Sequence, residues 1–318
     1  MTQETAALLR CCRICPRECG VNRLKEQTGF CGAGAKIKAA RAALHFWEEP
    51  CLSGESGSGA VFFSGCSLGC VFCQNREISA NMSGLELPEG RLEEIFLELQ
   101  SQSARNINLV TPTHYLPQIA EALERAKIQG LSIPVVWNSS GYEKPESLRR
   151  LNGLVDIYLP DFKYLSSRMA GRYSDAADYP RWAWAALEEM ALQAGEPVFD
   201  ESPPDGGFPA MQRGVILRHL LLPGLLEDGK ALLRRVFERY GNRIFYSLMS
   251  QYTPLNHVPG FPELNRRVSP EEYDDFVDFA AELGIENGFI QEGSSAEESF
   301  IPAFDYQGIL RTEPGGNL

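Results

Sequence analysis

An α/β fold with parallel strands is predicted by two features of the chain: six short apolar runs, and amphipathic helical segments between them. A third feature favours a barrel over a doubly wound sheet, because polar residues recur at the C-terminal end of nearly every run. The runs are residues 60–63 (AVFF), 107–113 (INLVTPT), 133–140 (IPVVWNSS), 155–164 (VDIYLPDFKY), 214–224 (GVILRHLLLPG) and 243–253 (RIFYSLMSQYT). Several are rich in β-branched and aromatic residues, as buried strands are. Among the helices, PEGRLEEIFLELQ puts Leu92, Ile95, Phe96 and Leu99 on one face, with Pro88 suited to its start. In SPEEYDDFVDFAAELG, Ser269 and Glu272 make a capping box, Pro270 opens the first turn and Gly284 ends it. Segments 116–129 and 225–240 have the same character. Residues 195–209, GEPVFDESPPDGGFP, read as a surface loop or lid.

With 318 residues, 44% of them hydrophobic, the chain can bury a large core. A net charge of −12 repels phosphate, which argues against nucleic acid and anionic membranes as partners. No segment reads as a signal peptide or membrane span, so a cytoplasmic protein is expected. The nine cysteines all fall within the first 73 residues. In a reducing compartment such a cluster indicates metal ligands more than disulfides.

GAVFFSGCSLGCVFCQN carries Cys66, Cys70 and Cys73 in one tight loop after the first run. Three thiolates do not complete a structural zinc site, but they hold three corners of a [4Fe–4S] cube and leave one iron open. The spacing C-x3-C-x2-C, with Phe72 before the last cysteine, resembles the radical S-adenosylmethionine (SAM) superfamily. CQN (73–75) and LPDFKY (159–164) are similar to pyruvate formate-lyase activating enzymes and their relatives. GVILRHLLLPG and SLMSQYTP resemble the fifth and sixth strands of those enzymes. The whole pattern, from CPRECGVNR through HFWEEPCLSG and VTPTHY to ENGFIQEG, is most similar to a subgroup named only by similarity to them.

The resemblance implies a partial six-stranded (β/α) barrel over residues 51–318, preceded by a small cysteine-rich metal-binding segment, residues 1–50. It implies a [4Fe–4S] cluster on Cys66, Cys70 and Cys73 whose open iron takes SAM. One electron from a donor such as a flavodoxin or ferredoxin would then release a 5′-deoxyadenosyl radical that abstracts hydrogen from a substrate. Asp161 and Lys163 would bind the amino and carboxylate groups of SAM, and Phe72 would line its adenosine side. Here VTPTHY stands where the activating enzymes have a Gly-Gly-Glu turn, so Thr111 and Thr113, with His114 beside them, would take over that contact. Of Arg218 and His219, adjacent on one strand, only one can face the barrel interior.

A second group, Cys12, Cys15, Cys19 and Cys31, supplies four thiolates for a closed site, either structural zinc or an auxiliary iron–sulfur cluster. Cys11 is an alternative to Cys12, and Cys51 belongs to neither group. His45 and His114 read as packed residues, and Trp182 and Trp184 as helical core. Three functions follow: glycyl-radical activation of a partner protein, modification of a small molecule or peptide, and a non-catalytic iron–sulfur or zinc protein for interaction or electron transfer.

Overall fold

The computed structural model of the chain describes residues 1–254, 258, 260–291 and 302–311. Its strands are β1 (Lys38–His45), β2 (Ser58–Phe63), β3 (Leu85–Glu86), β4 (Ile107–Val110), β5 (Val135–Ser139), β6 (Ile157–Pro160), β7 (Val198–Asp200), β8 (Ala210–Leu220), β9 (Phe245–Met249) and β10 (Gly288–Ile290). Each of the six apolar runs overlaps a strand, and β2, β4, β5, β6, β8 and β9 pair in that order, all parallel. The sheet runs from β10 through these six to β1 and β3 without closing on itself among the described residues, which makes the barrel partial.

Alternation along each strand separates an outer from an inner face. Leu109, Trp137, Tyr158 and Leu217 point outward into the main core, where Leu92, Ile95, Phe96 and Leu99 of the helix Arg91–Ser101 are also buried. Each such aliphatic side chain contributes about 1.5–3 kcal/mol on full burial. On the inner face, Val136, Ile157, Leu159 and Ile216 join Cys51 and Leu52 of the short helix Pro50–Ser53 in a separate apolar cluster that plugs the barrel floor. Further along the same inner faces the residues turn polar: Asn138, Asp161 and Arg218.

The predicted caps are present. Ser269 Oγ accepts from the Glu272 N–H at 3.2 Å, the Glu272 carboxylate accepts from the Ser269 N–H at 2.9 Å, and Gly284 takes φ of 89° at the C-cap. The helix after Pro88 begins only at Arg91, because Gly90 occupies the N-cap in a left-handed conformation. Trp182 and Trp184 lie on the helix Tyr179–Ala194 but are half-buried, each donating its indole N–H to an acid four residues away. They edge the core rather than fill it.

Two further corrections concern the ends of the barrel. β1 is a full strand antiparallel to β2, so the sheet begins inside the segment assigned to the cysteine-rich region. The 195–209 segment is not a lid over the rim. Val198–Asp200 pairs with β8, and Asp205 accepts from Arg105 at 2.7 Å and from Ser56 Oγ at 2.8 Å, both next to the N-terminal ends of β2 and β4. That ion pair fastens the segment beneath the barrel.

Candidate active site

The chain leaves β2 through Ser64 and turns at Gly65, where φ is +94°. A Cβ there would stand 2.5 Å from the Cys31 carbonyl oxygen, so only glycine lets the N-terminal segment pack against this loop. The loop then presents Cys66, Cys70 and Cys73 to a cavity of about 240 Å3 inside the barrel mouth. Cys66 Sγ accepts from the Leu68 N–H at 3.4 Å, Cys70 Sγ from Ser174 Oγ at 3.1 Å, and Cys73 Sγ from Ser79 Oγ at 3.3 Å. Burial pushes all three thiols above the ordinary cysteine value, so as free thiols they are protonated. Binding a metal centre would release those protons.

Opposite the thiols, Asp161 and Lys163 form an ion pair at 2.8 Å with side chains only 17% and 16% exposed. Burial alone would raise the Asp161 carboxyl, but Lys163 and Arg218 outweigh it and hold the group below its usual range. Lys163 is likewise pulled down by burial and carried back above its ordinary value by Asp161. Both therefore stay charged in a half-enclosed cavity, which is not the solvated pair that charge alone at a strand end would suggest. Arg218 answers the strand-parity question. It lines the cavity, donating to Asn138 at 2.5 Å and Asp161 at 3.2 Å, whereas His219 points outward to the Phe162 carbonyl at 2.7 Å.

Phe72 also lines the cavity, its ring held edge-on by Tyr164, Tyr173 and Tyr252. Thr111, in a left-handed conformation at φ 58°, is on the wall. Thr113 is not. Its hydroxyl is buried and donates to Glu143 at 2.9 Å, in a closed set with Trp137 and Ser139 around the same carboxylate, and this removes it from the cofactor contacts. His114 is buried against the Ser64 carbonyl at 2.8 Å, with burial lowering its pKa to about 3, a packed neutral residue as the sequence suggested. His45 lines the cavity and stacks edge-on against Phe62.

Two residues escaped the sequence reading. Glu48, from HFWEEP, reaches the cavity and pairs with Arg218 at 3.3 Å. Burial raises its carboxyl, an effect Arg218 only partly offsets. Adjacent acids between aromatics and a proline were the available signal. Arg17 gave none. From between Cys15 and Cys19 it donates to the carbonyls of Ser67 and Leu68 at 3.0 Å, inside the cysteine loop, and to those of Ser174 at 2.9 Å and Asp175 at 2.5 Å. Its guanidinium stacks over Phe30 at 3.6 Å.

The N-terminal thiols are a separate group. Cys12, Cys15, Cys19 and Cys31 line one small cavity, while Cys11 is exposed away from it and Cys51 is buried in the floor cluster. Burial, with the neighbouring thiols adding to it, pushes Cys15 up to about 12.

The donor sets fit the groups that the spacing suggests: three thiols on one wall for an iron–sulfur cluster with one open corner, and a buried anion and cation for a zwitterionic amino acid end. Residues 60–194 match the family model of the radical SAM superfamily, which supports a place in that superfamily. An uncharacterized protein of Methanocaldococcus jannaschii is 28% identical over 286 residues, covering 86% of this chain and 75% of its own length. Among solved structures, Streptococcus suis SuiB bound to precursor peptide SuiA superposes with a TM-score of 0.48 at 13% identity, over 72% of this chain and 47% of SuiB. Methylornithine synthase (PylB) gives 0.49 at 12% identity, over 71% of this chain and 60% of that one. The chain thus spans only about half to three-fifths of those two proteins. No helix among the described residues is long and apolar enough to cross a membrane.

Proposed function

We propose that the chain is a radical SAM enzyme acting on a small molecule or a peptide segment, with its chemistry at the barrel mouth. Cys66, Cys70 and Cys73 would hold a [4Fe–4S] cluster, Asp161 the ammonium of SAM and Lys163 its carboxylate, with Phe72 and Thr111 lining the same cavity. Loaded there, the cluster and SAM together supply one-electron reductive cleavage and, from it, hydrogen-atom abstraction. A low-potential donor such as a flavodoxin or ferredoxin would provide the electron. The chain's own residues orient and exclude. Ser174 and Ser79 hydrogen-bond two of the ligand sulfurs, which fixes their direction. The tyrosines around Phe72 keep that ring in place.

The observation that carries this reading is the buried Asp161–Lys163 pair facing three thiols across one cavity. The preference for a small molecule or peptide comes from the same cavity wall, where Glu48 and Arg218, next to Asp161, offer a polar, half-enclosed surface to a ligand. Glycyl-radical activation of a partner protein is the competing reading, and a glycyl doublet in electron paramagnetic resonance on mixing with a partner would favour it. Equilibrium dialysis with labelled SAM, on anaerobically loaded protein, tests the site. Wild type should bind, and Asp161→Asn and Lys163→Met should weaken binding about tenfold or more. No SAM binding by loaded wild type would leave a non-catalytic metalloprotein.

A further inference from the structure

We infer that Cys12, Cys15, Cys19 and Cys31 hold a second iron–sulfur cluster of the cubane type, closed by four cysteines, and not a zinc ion. This rests on the reading that these four thiols are metal ligands, and it chooses between the two centres that their spacing allows.

Size decides the choice. A zinc ion about 2.3 Å from each of four sulfurs draws them to roughly 3.8 Å from one another, and no water-sized space is left between them. The four thiols here instead line a cavity of about 10 Å3. That is room for about one water-sized sphere. A cubane core requires such a gap, since its irons and sulfides stand between the cysteine sulfurs.

The walls point the same way. Ile14, Val21 and Ala33 make the cavity largely apolar, poor surroundings for trapped water. His114, which also lines it, keeps its buried Nδ1 without a hydrogen-bond partner in the protein, as expected of a wall built around something else. The Phe30 N–H donates to Cys19 Sγ at 3.4 Å, an outer hydrogen bond of the kind that thiolate-bound clusters use. With all four corners on cysteine, no iron is open, so the centre differs in kind from the one at Cys66, Cys70 and Cys73.

The test is iron, acid-labile sulfide and zinc per full-length chain, purified without oxygen, for wild type and for the Cys66→Ala/Cys70→Ala/Cys73→Ala variant. About eight irons and eight sulfides in wild type, with about four of each left in the variant and zinc negligible, is the expected result. About one zinc per chain, or no iron in the variant, overturns it. Should the triple variant fail to fold, wild type alone decides: about eight irons with negligible zinc upholds the proposal, and about one zinc per chain overturns it. Wild type and variant with the same four irons would instead uphold the N-terminal cluster and refute the assignment of Cys66, Cys70 and Cys73.

Discussion

Arg17→Met removes four hydrogen bonds while keeping an unbranched side chain over Phe30. Bonds from a charged donor are worth about 1.5–3 kcal/mol each when fully buried. Arg17 is only half-buried, and the freed carbonyls regain some water, so about 0.5–1 kcal/mol each is the fair figure, or about 2–4 kcal/mol together. For a chain of this length that lowers Tm by roughly 3–8 °C. The local effect should exceed the global one. Two of the acceptors lie between Cys66 and Cys70, and a third belongs to Ser174, whose hydroxyl holds the Cys70 sulfur. Anaerobic protein challenged with an iron chelator should therefore lose iron from the Cys66–Cys73 loop faster in the variant than in wild type. Arg17→Lys should rescue only in part, because one ammonium cannot span four carbonyls. Equal iron retention and equal Tm in wild type and Arg17→Met would refute the view that this residue ties the N-terminal segment to the loop.

Gly65→Ala should cost about 1–3 kcal/mol from the positive φ and the Cys31 contact, and lower iron content as well; unchanged Tm and iron would contradict the packing described. His219 is neutral in the fold because burial lowers its pKa to about 4, below the roughly 6.5 of an unfolded chain. Its contribution is present in full above about pH 6.5 and lost as pH falls towards 4, at up to ~1.4 kcal/mol per pH unit. Urea midpoints at pH 7 and pH 5 should thus fall more steeply for wild type than for His219→Asn, and parallel falls would count against it. Ser269→Ala removes the capping box and should cost about 1 kcal/mol, a Tm drop of about 1–3 °C in a thermal melt, where no shift would mean the cap is idle.

The core of the fold was legible because buried parallel strands are continuous apolar runs, and these stand out against amphipathic helices. β1 was hidden for a physical reason. KAARAALH is small and helix-prone, and it becomes a strand only because β2 offers an edge. The three-residue strands β7 and β10 are too short to show any period. In the site, local spacing fixed the thiols, while the Asp161 and Lys163 positions came through family resemblance and parity left Arg218 and His219 to the structure. Thr113 misled because the turn after β4 puts Thr111 on the cavity wall and buries Thr113 two residues later on Glu143. Arg17 and Glu48 act across 50 and 170 residues of sequence, a separation that no local pattern encodes.

If three cysteines and a buried ion pair form a site for reductive SAM cleavage, anaerobic incubation of iron-loaded protein with dithionite and SAM, followed by quantitation of methionine and 5′-deoxyadenosine, will reveal it. Both products are expected from wild type and neither from Cys73→Ala. Equal product from the two proteins, or none from wild type that demonstrably carries its cluster and binds SAM, would contradict it.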